Sequence, residues 1–429
     1  MKISSIHLEN IRSLGGEQEI KIAPLTFLTG DPNTGKSTVM DVFFATRDLF
    51  GARRTVALSN HSYPTINFGN FARMEDGEYV DSFMVGATVK GKKADLTIKK
   101  YYDQDVSHTK AAAVTLEFSS GGSVVFADNK YQATARTGMD GIGMYTGIND
   151  KGDHIIRCDV SVTPDYVFKE FLFGNINFSH ANFKGFSSFW ENKCEDINDI
   201  IKSLSIPNTA WESLPQDKMS DFCRDIENLN FKEKKTDRLI KAIKYHGQRA
   251  GVFDDFYIKK DNQGICRAFI VSNGKSDPLI LAGDTTATAL HFIFNIVQSH
   301  SGKPTPVFWV KNPENSMNPK AQAEISSMLS YTKSVAMIET NSDYMISRAR
   351  AEISFGNISN DMVSLVFMKS DNDNRNIACN LSLNQKGEIV TPPYDYRRWF
   401  SEEKARISGE GVLEEIPTFA TKKELSKGR

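Results

Sequence analysis

The sequence predicts a mixed α/β fold built around a phosphate-binding loop, and three observations carry that reading. A short apolar segment, residues 25–29, runs straight into a glycine-rich loop and then into residues of helical spacing. Residues 79–133 carry period-two apolar positions separated by glycine turns, the pattern of an antiparallel meander. Toward the other end, apolar strand segments alternate with helical ones, as in a mixed α/β core.

Along the chain, residues 3–8 alternate imperfectly and read as a strand, 13–16 as a turn, and 19–22 and 25–29 as two further strands. After Lys36, the positions Val39, Met40, Val42 and Phe43 have helical spacing, with an end expected near Phe50 and Gly51. The meander divides into 80–90, 94–102, 113–118 and 123–126. Residues 137–160, rich in glycine and aspartate, are expected to be loop. Helical spacing at 196–204, 219–229 and 232–245 suggests a mostly helical insertion over 164–250. Strands follow at 254–260 and 268–272, a helix at 286–299, a buried strand at 306–310, a helix at 319–331, a strand at 334–338 and a strand-rich end over 362–383. The tail, 421–429, is basic and expected to be disordered.

Composition narrows the function. The 429 residues are 40% hydrophobic and 24% charged, an ordinary globular mixture, and the formal net charge of −1 offers no global field for nucleic acid or membrane. The five cysteines, Cys158, Cys194, Cys223, Cys266 and Cys379, form no CxxC pair, so neither a zinc site nor a disulfide framework is indicated, and a cytoplasmic location is expected. The eight histidines lack metal-site spacing. The N-terminus has no signal-peptide pattern, and no apolar run is long enough to span a membrane. Phenylalanines interleaved with lysine and asparagine between Phe68 and Phe189 would suit base stacking but read better as core or an oligomer surface.

The strongest motif is Gly30-Asp31-Pro32-Asn33-Thr34-Gly35-Lys36-Ser37, followed by Thr38, which matches G-x-x-x-x-G-K-[ST] at every fixed position. The glycines let backbone N–H groups curl round phosphate oxygens, and the helix N-terminus adds partial positive charge. Lys36 is expected to reach the terminal phosphates of ATP, and the Ser37 hydroxyl to bind Mg²⁺.

Three further phrases carry a resemblance. They are residues 6–14 with 22–30, Asn312-Pro313-Glu314-Asn315-Ser316-Met317-Asn318-Pro319-Lys320 after a buried strand, and Ile338-Glu339-Thr340-Asn341-Ser342-Asp343. Together with the phosphate loop they resemble RecF- and OLD-like AAA ATPases of the ABC superfamily over about residues 1–75 and 254–400. The resemblance implies a P-loop NTPase core of ABC-ATPase type, to which the periodicity of the middle of the chain adds an antiparallel β subdomain and a helical insertion. The implied division is an N-terminal lobe at 1–163, an insertion at 164–250, a C-terminal lobe at 251–400 and a tail at 401–429. SMC-type proteins of the class carry a long coiled coil, and no heptad run occurs here.

The sequence departs from that family where catalysis is concentrated. The family's metal-supporting Asp is Lys311, its water-polarising Glu is Asn312, and its switch His is Asn341. An amide positions water but cannot take its proton, and an ammonium repels a metal ion. Slow or absent hydrolysis is therefore expected unless another carboxylate substitutes. Glu314 and Glu339 are the nearest, although the register assigns Glu314 to the start of the next helix and Glu339 to the cap of a strand. Asn312, Glu314 and Asn341 stand as the candidate catalytic positions. The signature segment, Leu281-Ala282-Gly283-Asp284-Thr285-Thr286, is altered too: it would reach the phosphates held by a partner subunit, or serve as an ordinary helix cap. Arg12 and Ser13 lie in a turn that would face the nucleotide, or simply solvent.

By that resemblance the chain would bind ATP and Mg²⁺, assemble as a homo-oligomer and control a separate effector, such as a nuclease or toxin, in anti-phage defence. No nuclease segment is recognisable after residue 350. The alternative is an active DNA-associated ATPase of repair or recombination, which would need working carboxylates and a basic groove.

Overall fold

The computed structural model describes residues 3–50, 74–75, 78–80, 82–90, 95–104, 109–119, 123–127, 144–148, 154–158, 208–211, 219–227, 234–260, 266–300, 307–332, 335–371, 375–396, 402, 405 and 408. The expected helix at 196–204, the clustered phenylalanines Phe68, Phe71 and those from Phe168 to Phe189, and the basic tail at 421–429 lie outside these residues. Two compact units divide at Val390. In the second, the Tyr396 N–H donates to the Pro393 carbonyl at 2.9 Å, closing a turn.

The first unit begins with strands β1 (Ile3–Ile11), β2 (Leu14–Lys21) and β3 (Leu25–Gly30), then helix α1 (Lys36–Phe50). Two short strands follow, β4 (Met74–Glu75) and β5 (Glu78–Tyr79). The meander is β6 (Ser82–Val89), β7 (Leu96–Gln104), β8 (Thr109–Phe118) and β9 (Ser123–Ala127). Next come β10 (Met144–Ile148), β11 (His154–Cys158) and β12 (Asn208–Trp211), helices α2 (Met219–Glu227) and α3 (Lys234–Ala250), and strands β13 (Asp255–Lys260), β14 (Cys266–Ser272) and β15 (Lys275–Pro278). The last stretch is α4 (Asp284–His300), β16 (Val307–Lys311), α5 (Pro319–Ser330), β17 (Ala336–Glu339), α6 (Asp343–Ser354), β18 (Val363–Ser370), β19 (Asn376–Leu383) and β20 (Ile389–Val390).

One sheet organises this unit, in the order β12-β16-β17-β3-β18-β19-β2-β1-β6-β7-β8-β9. The pairs from β12 through β18 are all parallel. From β2 outward through β9 the pairs are antiparallel. The parallel half explains the apolar runs. β17 is buried at every position and β3 at every position but its last, so these strands show no alternation. The imperfect alternation of β1, a strand of the antiparallel half, comes from burial on both its faces. Ser5 and His7 are buried along with Ile6 and Leu8, and the His7 imidazole is satisfied by the Thr88 hydroxyl at 2.7 Å.

The meander continues the main sheet, because β6 pairs with β1 along its length. The expected loop at 137–160 is corrected by β10 and β11, which pair from Met144 opposite Cys158 to Ile148 opposite His154. Gly147 sits inside β10, where glycine ordinarily weakens a strand, so local composition pointed away from the pairing.

The helices form a cluster: α5 packs on α6, α3 and α4, and α3 packs on α4. Leu290, Phe292, Ile293 and Ile296 of α4 are buried, each stabilising by roughly 1.5–3 kcal/mol. Helix α5 starts at an Asn318–Pro319 cap, with the Asn318 side chain accepting the Ala321 N–H at 2.8 Å. Ser342 caps α6 by accepting the Met345 N–H at 3.2 Å. Among the described residues no helix is long and apolar enough to cross a membrane.

Candidate nucleotide site

The loop between β3 and α1 has the backbone its sequence requires. Gly30 and Gly35 have φ of 124° and 96°, values that L side chains rarely adopt, and Asn33 has φ of 61°, where asparagine is among the few tolerated residues. A Cβ on Gly30 would stand 2.0 Å from the Met368 carbonyl oxygen, because β18 runs beside β3 with Met368 opposite Gly30. Thr34 closes the loop by donating to the Asp31 carbonyl at 2.7 Å, and the Asp31 N–H donates to the Met368 carbonyl at 3.2 Å. Asp31, Pro32 and Asn33 are exposed, whereas Thr34, Lys36 and Thr38 are buried. Such a run of loop and helix amides makes an anion cradle.

Lys36 folds back into the loop and donates to the carbonyls of Gly30 and Asp31 at 2.9 and 2.6 Å. Burial pulls its ammonium below the ordinary lysine value, while the charges of Glu339, Asp31 and Glu314 push it upward.

Glu339 is the residue whose position the sequence did not convey. Its carboxylate accepts the Ser37 hydroxyl with both oxygens, at 3.1 and 2.9 Å, from the C-terminal end of β17. The strand-cap role leaves this contact out. β17 is the immediate parallel neighbour of β3, with Glu339 opposite Leu28, so its end is level with the phosphate loop. The signal in the sequence was a carboxylate terminating an apolar strand, Ala336-Met337-Ile338-Glu339.

Lys311 lies one strand farther out, opposite Glu339 in β16, with its ammonium 5.9 Å from the centre of the Trp309 ring. Asn312 follows with φ of 43°, and its N–H donates to the Glu339 carbonyl at 2.8 Å. An asparagine suits that left-handed turn, which gives the position a backbone reason beside any chemical one. Glu314 accepts the Thr340 hydroxyl at 2.6 Å and the Asn341 N–H at 2.8 Å. The Asn341 side-chain oxygen in turn accepts the Gly30 N–H at 3.3 Å. Glu314 and Asn341 are thus brought to the phosphate loop, with Glu314 two bonds behind it.

The β1–β2 turn leans on the same loop, since a Cβ on Gly35 would meet Leu14 at 2.9 Å and the Ser13 hydroxyl at 3.2 Å. Arg12 pairs with Asp41 of α1 at 2.6 Å, tying the turn to the helix that leaves the loop. The signature segment stands at the N-terminus of α4. Gly283, Asp284 and Thr285 are placed there, and the Thr286 hydroxyl donates to the Val252 carbonyl at 3.2 Å.

A parallel strand, a glycine loop and a helix carrying Lys36 and Ser37 in this arrangement define a mixed α/β P-loop nucleotide-binding protein. The chain belongs to the AAA ATPase domain family, whose model matches residues 1–270. No curated protein matches the chain. Among solved structures it is similar to an SMC head domain from Thermotoga maritima, at 10% identity over 90% of this chain and 100% of that one, with a TM-score of 0.42. An SMC head bound to the C-terminal winged-helix domain of ScpA is similar at 12% identity over 89% and 99%, with a TM-score of 0.43. An SMC head with an extended coiled coil, bound to the C-terminal domain of ScpA derived from Pyrococcus furiosus, is similar at 11% identity over 89% and 96%, with a TM-score of 0.39.

Proposed function

We propose that this chain is an ATP- and Mg²⁺-binding subunit that holds nucleotide for long periods, hydrolyses it slowly, and uses the bound state to control its assembly. The observation that carries the reading is the phosphate loop, with Lys36 and Ser37 in place but Asn312 where the family has its water-polarising carboxylate. Glu314 does not fill that gap. Both its oxygens are engaged by Thr340 and Asn341, which makes it a positioning residue. The bonds from Gly30 to Asn341 to Glu314 join the loop to the ends of β16 and β17, so a phosphate pulling on the Gly30 amide acts on both strands.

The chain works as a homo-oligomer in this reading. The exposed side chains of Ile280 and Leu281, at 48% and 72%, beside the start of α4, support a face for a second copy. A separate effector, a nuclease or toxin in anti-phage defence, follows from the family resemblance of residues 312–320 and 338–343.

The test measures ATP affinity and solution mass together. Wild type is expected to bind ATP and gain mass with Mg²⁺-ATP, while Lys36→Ala does neither. A wild type that stays monomeric in every nucleotide state would overturn the assembly reading. Co-purification of a nuclease or toxin would support effector control, and strongly salt-dependent DNA binding would favour a repair ATPase instead.

A further inference from the structure

We infer that Glu339, at the end of β17, has taken over the metal-supporting task that the family resemblance assigns to the position of Lys311. This rests on the nucleotide-binding reading above and deepens it.

A P-loop serine serves its metal through the hydroxyl, and a carboxylate nearby holds the ion or one of its waters. Here the Ser37 hydroxyl lies 2.9 and 3.1 Å from the two Glu339 oxygens. A hydroxyl and a carboxylate are hard oxygen donors, the set that Mg²⁺ prefers, so the residues present fit the ion. Glu339 is 6% exposed, and its backbone is pinned from both sides. Its carbonyl accepts the Asn312 N–H, and β17 pairs with β3 at Glu339 opposite Leu28. Its charge also reaches Lys36, the residue expected to touch the terminal phosphates.

Lys311 cannot do the same work. It is cationic, and it stands one strand farther from β3 than Glu339 does. In the parallel register Lys311 and Glu339 are direct partners, so moving the carboxylate from β16 to β17 shifts it by one strand toward Ser37. The lost carboxylate and the gained one therefore occupy adjacent strands at the same level. Metal support is retained by this exchange, whereas the water-activating group at Asn312 is not replaced. The site can thus hold Mg²⁺-nucleotide without turning it over quickly.

The test uses a fluorescent ATP analogue titrated against wild type, Glu339→Gln and Glu339→Asp, in Mg²⁺ and in EDTA, with Mn²⁺ electron paramagnetic resonance counting bound metal. In Mg²⁺, Glu339→Gln should bind the nucleotide about tenfold more weakly or worse, and lose the bound Mn²⁺ signal. In EDTA it should bind as tightly as wild type or tighter, because a carboxylate that repels phosphate has been removed. A merely structural role would weaken both. Glu339→Asp keeps the charge one methylene short and should retain part of the Mg²⁺ effect, which keeps the test open if the glutamine variant does not fold. A Mg²⁺ effect that is the same in all three proteins overturns the assignment alone. A wild type that binds no nucleotide in either condition overturns the nucleotide-binding reading and the assignment with it.

Discussion

The backbone N–H of Gly30 donates to the side-chain oxygen of Asn341 at 3.3 Å, joining the phosphate loop to the segment that follows β17. Asn341 itself is exposed, so the bond is a modest one. Asn341→Ala should weaken ATP binding by up to about fivefold, the equivalent of roughly 1 kcal/mol, with little change in stability. Equilibrium titration with ATP checks this. A loss far beyond that would give Asn341 direct contact with the nucleotide.

Glu314 stands behind Asn341 and satisfies a hydroxyl on a residue with no exposure at all, Thr340. Removing the carboxylate leaves that hydroxyl and the Asn341 N–H without it. Glu314→Ala should destabilise the protein by about 1–3 kcal/mol, read from urea unfolding. Unchanged stability with abolished phosphate release would instead make Glu314 the catalytic base.

Gly30 has no room for a side chain. Its φ is 124°, and a Cβ added there would stand 2.0 Å from the Met368 carbonyl oxygen, so Gly30→Ala must push β18 away from β3. A loss of about 2–4 kcal/mol is expected from strain and overpacking combined, together with loss of ATP binding. Thermal unfolding and nucleotide titration measure the two effects separately.

His291 sets an acid limit. Burial pulls its imidazole down to about 4, and its Nδ1 is buried with no hydrogen-bond partner among the described residues. Phe222 meets the ring edge-on at 5.1 Å. The folded state therefore holds the neutral form, while the unfolded chain takes up a proton below about 6.5. Stability from this source is complete above that pH and is lost as pH falls toward 4. Between about pH 7.5 and pH 5, wild type should lose about 2 kcal/mol more than His291→Phe does. Parallel losses in the two proteins would contradict it.

Much of this was legible in the sequence because the signals were local. The loop at 30–38 needed only its glycines, its lysine and the apolar strand before it, and the buried parallel strands announced themselves as unbroken apolar runs. The paired β10 and β11 were hidden by glycine and aspartate, since a two-stranded pairing is decided by the partner strand as much as by its own residues. The sequence names Glu339 as a nearby carboxylate, but its contact with Ser37 was hidden for a different reason. Ser37 is 302 residues away in the chain, and only the placement of β17 directly beside β3 makes them neighbours. A register compares positions along the chain, so it does not show that Glu339, opposite Lys311 on the neighbouring strand, stands beside Ser37.

In this account the site holds nucleotide without a base to consume it. Phosphate release from Mg²⁺-ATP, measured on wild type beside Lys36→Ala and Asn312→Glu, tests it most directly. The glutamate variant carries a cost of about 1–2 kcal/mol for the left-handed turn at φ of 43°, so it is compared at matched folded fraction. Wild-type turnover far below the ~10 s⁻¹ of a typical enzyme, with a gain in Asn312→Glu, is the predicted result. Rapid wild-type release that Lys36→Ala abolishes would contradict it.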